Sequence, residues 1–341
     1  MNRIGPALGV LLLATLALSS AFGQAIDLPA IEPSPAMATR LRWLQYTLVS
    51  GRVVVSSSHT TRITVPLQVS LDGRRRERQS LNINNALTNV QYDLTTPVEQ
   101  LSVTVTDSSQ LAISRVWHDG KYNLQFEQIP GRPLLWTLTE AGNKRTLEGE
   151  SFWHLLIAEP EAVRRHLIPV LEMLHPLWQL SDMGRGIEDL LFERAQSHPQ
   201  PDRQRWAGLV ADLASPKFAV RQNAERELSK AGQVVVPYLQ NLDRTRLDAE
   251  QAYRVRSLVE SLAVGYEDTA DRIVIWLSGD EHVWLSLLSR GEPQKRLVAA
   301  QQLSAIIGPV EFDPAAADSV RNAQLERLRI KLRRPLASKK P

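Results

Sequence analysis

The sequence predicts an α+β chain in which an N-terminal antiparallel β domain is followed by a C-terminal array of α-helical hairpins. Three observations carry this expectation. Apolar residues alternate with period two between about residues 41 and 149, the period lengthens to that of a helix from Ser151, and beyond residue 201 short amphipathic runs recur with Pro near their starts and Gly at their stops.

Residues 1–23 carry Arg3, an apolar run from Leu8 to Leu18 and the small residues Ala21 and Gly23, the pattern of a secretory signal cut before Gln24, with a second cut possible after Ala25. The alternative is a retained anchor, but the run is short for a spanning helix and Gly5-Pro6 interrupts its beginning. No later window is long and apolar enough to span a bilayer, so no integral span is expected after cleavage. The expected location is exported, periplasmic or extracellular. Residues 24–40, "QAIDLPAIEPSPAMATR", have spaced prolines and no sustained period, as a linker does. The 341-residue chain is 43% apolar, enough for about two domains with real cores. Size alone forces no oligomer, and the sequence leaves oligomeric state open. With no Cys the fold uses no disulfide, and cysteine catalysis and thiolate metal sites are excluded.

The β domain is expected over 41–149. In "LSVTVT" the residues Leu101, Val103 and Val105 share one face, and in "KYNLQF" so do Tyr122, Leu124 and Phe126, leaving Thr, Gln and Asn for water. Asp72-Gly73, Asp119-Gly120 and Gly142-Asn143 separate the runs and accept the positive φ of tight hairpins. Arg74, Arg75, Arg76 and Arg78 in "GRRRER" form a candidate polyanion-binding tip, although arginines beside a turn are usually just solvated. Trp117 next to His118-Asp119 suggests a pocket, yet neighbours on a strand point to opposite faces. Ser56, Ser57 and Ser58 before His59 imitate a nucleophile and base without a third partner.

Residues 150–200 are expected to be a helical connector. Val163, Leu167, Val170, Leu171 and Leu174 fall on one helical face, with Pro160 in a first turn and Pro169 expected to kink the run. His154, His166 and His175 are spaced by twelve and nine, not by the four that sets two imidazoles on one face, so no metal site is expected. They read as boundary histidines that cover apolar surface while a nitrogen reaches water or a carbonyl.

The array is expected over 201–334. Trp206, Leu209, Val210 and Leu213 make one stripe, after which Ser215-Pro216 is expected to cap and start a second helix carrying Phe218, Ala224, Leu228 and Ala231 on its apolar face and ending at Gly232. A third helix follows with Val235, Tyr238, Leu239 and Leu242, and Pro237 in its first turn. A connector this short makes an antiparallel pair, and helices this short need burial to persist. Further stripes follow: Ala252, Val255, Val259 and Leu262; then Trp284, Leu287 and Leu288 after Asp280; then "EPQKRLVAAQQLSAIIG". A register recurs, Arg221-x-x-Ala224-x-x-x-Leu228-Ser229 reappearing as Arg296-x-x-Ala299-x-x-x-Leu303-Ser304, with a small Ala at the helix crossing and a Leu in the groove.

The segment "LVADLASPKFAVRQNAERELSKAGQVVVPYLQNL" resembles the HEAT-like helical segments common in exported proteins of planctomycete bacteria, through Leu213, Ser215, Phe218, Arg221, Ala224, Leu228, Gly232, Pro237 and Leu239. "GPVEFDPAAADSVRNAQLERL" is similar to a recurrent ending of such repeats. The resemblance covers about 130 residues, implies stacked helical hairpins and carries no catalytic residues. The chain departs from the pattern at "VGYEDTADRIVIWLSG", where "RIVIWL" suits a strand or a buried helix.

The tail "LERLRIKLRRPLASKK" fits both periods, and helix is expected because helix formers run on from Val320. The formal charge is +3, but residues 318–341 hold eight basic and two acidic side chains, a local +6, which leaves −3 on the first 317. Arg327, Arg329, Lys331 and Arg333 are therefore a second candidate binding cluster, although basic residues at a helix C-terminus also complement its dipole.

These features point to an exported non-enzymatic interaction or scaffold protein with a protein or glycan partner in the cell envelope. No cofactor and no specific nucleic acid is expected. One alternative is an envelope-polymer hydrolase using paired carboxylates, with Asp182, Glu188, Asp189 and Glu193 the most clustered acids. Another is a polyanion-binding module built on the two arginine clusters.

Overall fold

The computed structural model describes residues 44–57, 62–84, 87–197, 202–263 and 267–332. The signal and linker readings for residues 1–40, the reading of Ser58 and His59, and Arg333 with the rest of the tail lie outside the described residues.

The chain is α+β, strands first and helices after. Strands β1 (Leu44–Val49) and β2 (Arg52–Ser57) form a hairpin. Strands β3 (Ile63–Asp72), β4 (Arg75–Asn84), β5 (Leu87–Thr95), β6 (Glu99–Thr106), β7 (Gln110–Trp117), β8 (Tyr122–Gln128), β9 (Leu134–Glu140) and β10 (Asn143–Gly149) form one eight-stranded meander in sequence order. All its pairings are antiparallel, which short hairpin connections require. Ser50-Gly51, Asp107-Ser108 and Ala141-Gly142 each place two consecutive residues at positive φ, the geometry that matches strand twist in two-residue hairpins. Gly73 and Gly120 in the turns expected from sequence also have positive φ.

The period-two pattern sorts the sheet into two faces. On one, Gln79, Tyr92, Val103, Ile113, Phe126 and Trp136 lie opposite one another in a row across six strands, all buried. The β1–β2 hairpin joins this core through Tyr46, Leu48, Val53 and Val55. It is held partly by a side chain acting as a strand: the buried Gln128 amide accepts from Val53 N at 3.0 Å and donates to Val53 O at 2.7 Å. The backbone needs of β2 are thus met where no strand lies alongside.

Helices α1 (Phe152–Ala158), α2 (Pro160–His166) and α3 (Ile168–Leu174) follow the sheet. The expected kink at Pro169 is a full break. Leu167 separates two helices and Pro169 sits in the first turn of α3, where its missing N–H costs nothing. Val163, Leu167, Val170 and Leu171 are buried as expected. Helix α4 (Leu180–Ser197) packs on α9 (Ala270–Leu277) and α11 (Pro293–Ile307), and α1 packs on β10 and α10 (Glu281–Leu287).

Between them, α5 (Arg203–Asp212), α6 (Phe218–Ala231), α7 (Val236–Gln240) and α8 (Ala249–Ala263) share a core that includes Trp206, Leu213, Ala224, Leu228, Leu239 and Val255. Here local readings shift. Helix α6 begins two residues later than Ser215-Pro216 suggested, with Lys217 at the cap position and the Ser215 hydroxyl accepting only from Lys217 N at 3.3 Å. Phe218, expected on the apolar face, is 61% exposed because that late start puts it at the very end of the helix. The third helix is a 3-10 turn, Gly232–Val235, leading into the short α7. "RIVIWL" is the buried helix α9. The tail is helix α12 (Asp318–Leu332), packed on α10.

The recurring Arg-x-x-Ala-x-x-x-Leu register has a physical meaning. Arg221 Nη1 donates to Ser215 O at 2.6 Å, and Arg296 Nη1 donates to Arg290 O at 2.8 Å, each six residues upstream in the turn that enters the helix. Arg321 Nη1 makes a similar bond to Ala316 O, five residues upstream, at the entry of α12. The guanidinium closes the turn from below while the Ala and Leu beneath it, Ala224 and Leu228 or Ala299 and Leu303, are fully buried.

Candidate functional site

Two of the places that gather polar groups among the described residues bear on function. The first is a buried junction between the β1–β2 turn, α1 and the start of α9 and α10. Asp268 Oδ1 accepts from Ser50 N at 2.7 Å, and its Oδ2 accepts from Gly51 N and from Trp153 Nε1, both at 2.6 Å. Gly51 is required: its φ is +65°, and a Cβ there would lie 2.5 Å from Ser151 Cβ. Burial pushes the Asp268 carboxyl above its ordinary range, against the opposing pull of these three donors and of Arg272. Beside it a cleft of about 30 Å³, room for one water, is lined by Ser50, Gln233, Gln240, Asp268, Arg272 and Trp276.

The junction continues into a chain of side chains. Ser151 Oγ lies 2.8 Å from His154 Nδ1, and His154 Nε2 lies 3.1 Å from Asp280 Oδ2. A carboxylate only accepts, so Nε2 carries the proton shared with Asp280. Asp280 also caps α10, its Oδ1 accepting from His282 N at 2.7 Å. Burial works to raise the Asp280 pKa, but His154 and the His282 contacts pull it well below the usual carboxylate range. The connectivity is that of a Ser-His-Asp triad with the ring nitrogens exchanged. Ser151 is 0% exposed beneath Gly51, so its Oγ meets no solvent and the chain works as a staple between α1 and α10.

The second place is the solvent face of the sheet. Cross-strand register lines up Asp93, Ser102, Ser114, Gln125, Thr137 and Thr146 in one row, and Gln91, Thr104, Ala112, Glu127 and Leu135 in the next. Small residues between longer ones leave a shallow trough of about 340 Å³, floored by Ala112 and walled by Ser102, Thr104, Ser114, Gln125 and Glu127. Its lining mixes the hydroxyls and amide of Ser102, Thr104, Ser114 and Gln125 and the Glu127 carboxylate with the apolar Ala112 and Leu135, on strands roughly 4.8 Å apart.

The arginines expected to bind are distributed as follows. Arg74, Arg76 and Arg78 are exposed on the β3–β4 hairpin, whereas Arg75 turns to the other face and pairs with the buried Glu77 at 2.7 Å. Arg327, Arg329 and Lys331 are exposed on α12, where Arg329 pairs with Glu326 at 2.6 Å. The two clusters sit on separate elements. The acids of α4 are in ion pairs: Asp182 with Arg185, Glu188 with Arg290 at 2.8 Å, and Asp189 with Lys295 at 3.3 Å, while Glu193 is exposed.

The boundary reading fits His175, which is half-buried, but not His154 and His166, which are buried. His154 bridges two side chains, and His166 is buried against Trp117 and Tyr122, ring centroids 5.6 and 5.1 Å away. His175 stacks on Trp178. Trp117 and His118 do point to opposite faces, the first buried and the second exposed with Nδ1 3.1 Å from Pro97 O. No group of metal-ligating side chains occurs among the described residues, and no described helix is long and apolar enough to cross a membrane. Asp268, Ser151 and Asp280 escaped sequence reasoning; Asp280 carried only a helix-start signal. Comparison with protein-family models, curated proteins and solved structures gives no match.

Proposed function

We propose that this chain is an exported, non-enzymatic interaction or scaffold protein that binds a glycan or protein partner of the cell envelope, with the solvent face of its sheet as the binding surface. The observation that carries this reading is the trough at Ala112. Its hydroxyl and amide rows can exchange hydrogen bonds with sugar hydroxyls or an extended peptide, and a rigid sheet presents them with little entropy to lose. The helical half, with its HEAT-like stretch, braces this surface and offers a second one.

The hydrolase alternative draws less support, because Asp182, Glu188 and Asp189 are committed to cationic partners. The binding reading is tested by pull-down from solubilised envelope with the wild-type chain and with Ala112→Trp, which fills the trough from an exposed position. A partner enriched by the first and lost with the second is expected. Equal recovery with both proteins would remove the trough from consideration.

A further inference from the structure

The β3–β4 hairpin has a feature that the trough does not explain. Val69 is opposite Arg78 and Leu71 is opposite Arg76, so all four side chains share the solvent face. Leu71 is 72% exposed and Val69 48%, so two neighbouring aliphatic side chains lie open together on this face. Arg74 extends the same end at the turn, beside Gly73. Among the described residues, Arg74, Arg76 and Arg78 make no ion pair; Asp93 lies across from Arg78 but accepts from Gln91, and Arg75 is engaged by Glu77. β3 ends the sheet, so the hairpin is its outermost element.

We propose that this hairpin tip docks the folded body on an anionic lipid surface, with Leu71 and Val69 entering the boundary between headgroups and acyl chains and Arg74, Arg76 and Arg78 meeting lipid phosphates. Charge complementarity and shape select this occupant. Arginine matches phosphate by paired N–H donors. A two-residue turn at a sheet margin has no walls, and an acidic peptide needs walls to bury its own side chains, whereas a bilayer yields around a protruding aliphatic group. A purely electrostatic polyanion site would have no use for an exposed Leu71 between the arginines.

The test is co-sedimentation of the full chain with vesicles of phosphatidylglycerol and phosphatidylcholine, with phosphatidylcholine alone as reference. Two variants are compared with wild type: Leu71→Ser and the triple variant Arg74→Gln/Arg76→Gln/Arg78→Gln, each checked for unchanged circular dichroism. All keep the N-terminal apolar stretch, so differences report on the hairpin. Leu71→Ser is expected to weaken binding to anionic vesicles about tenfold, and the triple variant about a hundredfold. Binding that is unchanged in both variants overturns the proposal. So does loss in the triple variant alone with heparin competing fully, which would mark a polyanion site without lipid insertion. Neither outcome bears on capture by the trough, whose variant is distinct.

Discussion

Asp268 and Trp153, 115 residues apart, are joined by an indole-to-carboxylate hydrogen bond of 2.6 Å that ties the first helix after the sheet to the start of α9. The same carboxylate holds the amides of Ser50 and Gly51, and Phe152 N donates to Gly51 O at 2.9 Å. One acidic side chain therefore fixes a hairpin turn, a helix start and a buried Trp at once.

Replacing Asp268 by Asn leaves a single acceptor oxygen for three N–H donors and turns an amide N–H₂ toward at least one of them. The expected cost is about 3 kcal/mol, the penalty for charge-assisted bonds lost with a donor left buried. Asp271→Asn, three residues on and exposed, should cost nearly nothing. Urea unfolding followed by Trp fluorescence compares them; equal midpoints would show that the junction does not hold the fold.

The repeated arginines make a separate claim. Arg221→Met and Arg296→Met keep the aliphatic stem but leave the turn carbonyls of Ser215 and Arg290 without their donor. Each should lose about 1–2 kcal/mol. The two sites share no partner, so the double variant should lose the sum. A double variant no less stable than either single one would mean the shared register is not a shared staple.

The sequence makes much of this fold legible because its periodicity reports which face of an element is buried. Alternation at Leu101, Val103 and Val105 and the stripe at Trp206, Val210 and Leu213 both met a core. Periodicity does not say which element covers that face, so the contact of α4 with α9 and α11 had no local signature. Polar junctions are harder still. Asp268 lies in a segment read as an interruption, and its partners are more than 100 residues away. Phe218 misled for a different reason: a helix face is defined only where the helix continues, and α6 starts at that residue. The trough at Ala112 was hidden because small residues on a solvent face look like ordinary surface.

Glu99 and Arg115 form a buried ion pair of 2.5 Å, with the guanidinium 4.3 Å from the centre of the Trp117 ring. Removing one charge strands the other in a low-dielectric core, so Glu99→Leu alone should cost about 3–5 kcal/mol. Adding Arg115→Met to it should recover most of that loss, since two apolar groups need no solvation. Chemical denaturation of the two single variants and the pair closes the cycle. Additive losses in the double variant would show that the ion pair is not the source of the cost.

His166 supplies the pH dependence. Burial, aided by the charges of Arg115, Arg165 and Arg145, holds its imidazole down to about 4 from the ordinary 6.5. Between those values the unfolded chain binds a proton that the folded chain refuses, so stability falls as the pH drops from about 6.5 toward 4 and is level above. The contribution should amount to about 2 kcal/mol between pH 7 and pH 5. His166→Phe keeps the aromatic contact with Trp117 and Tyr122 and has nothing to protonate, so its stability should be flatter across that window. Unfolding free energies of wild type and variant at pH 5, 6 and 7 decide the matter. Parallel profiles would assign the acid sensitivity to other groups and leave His166 as packing alone.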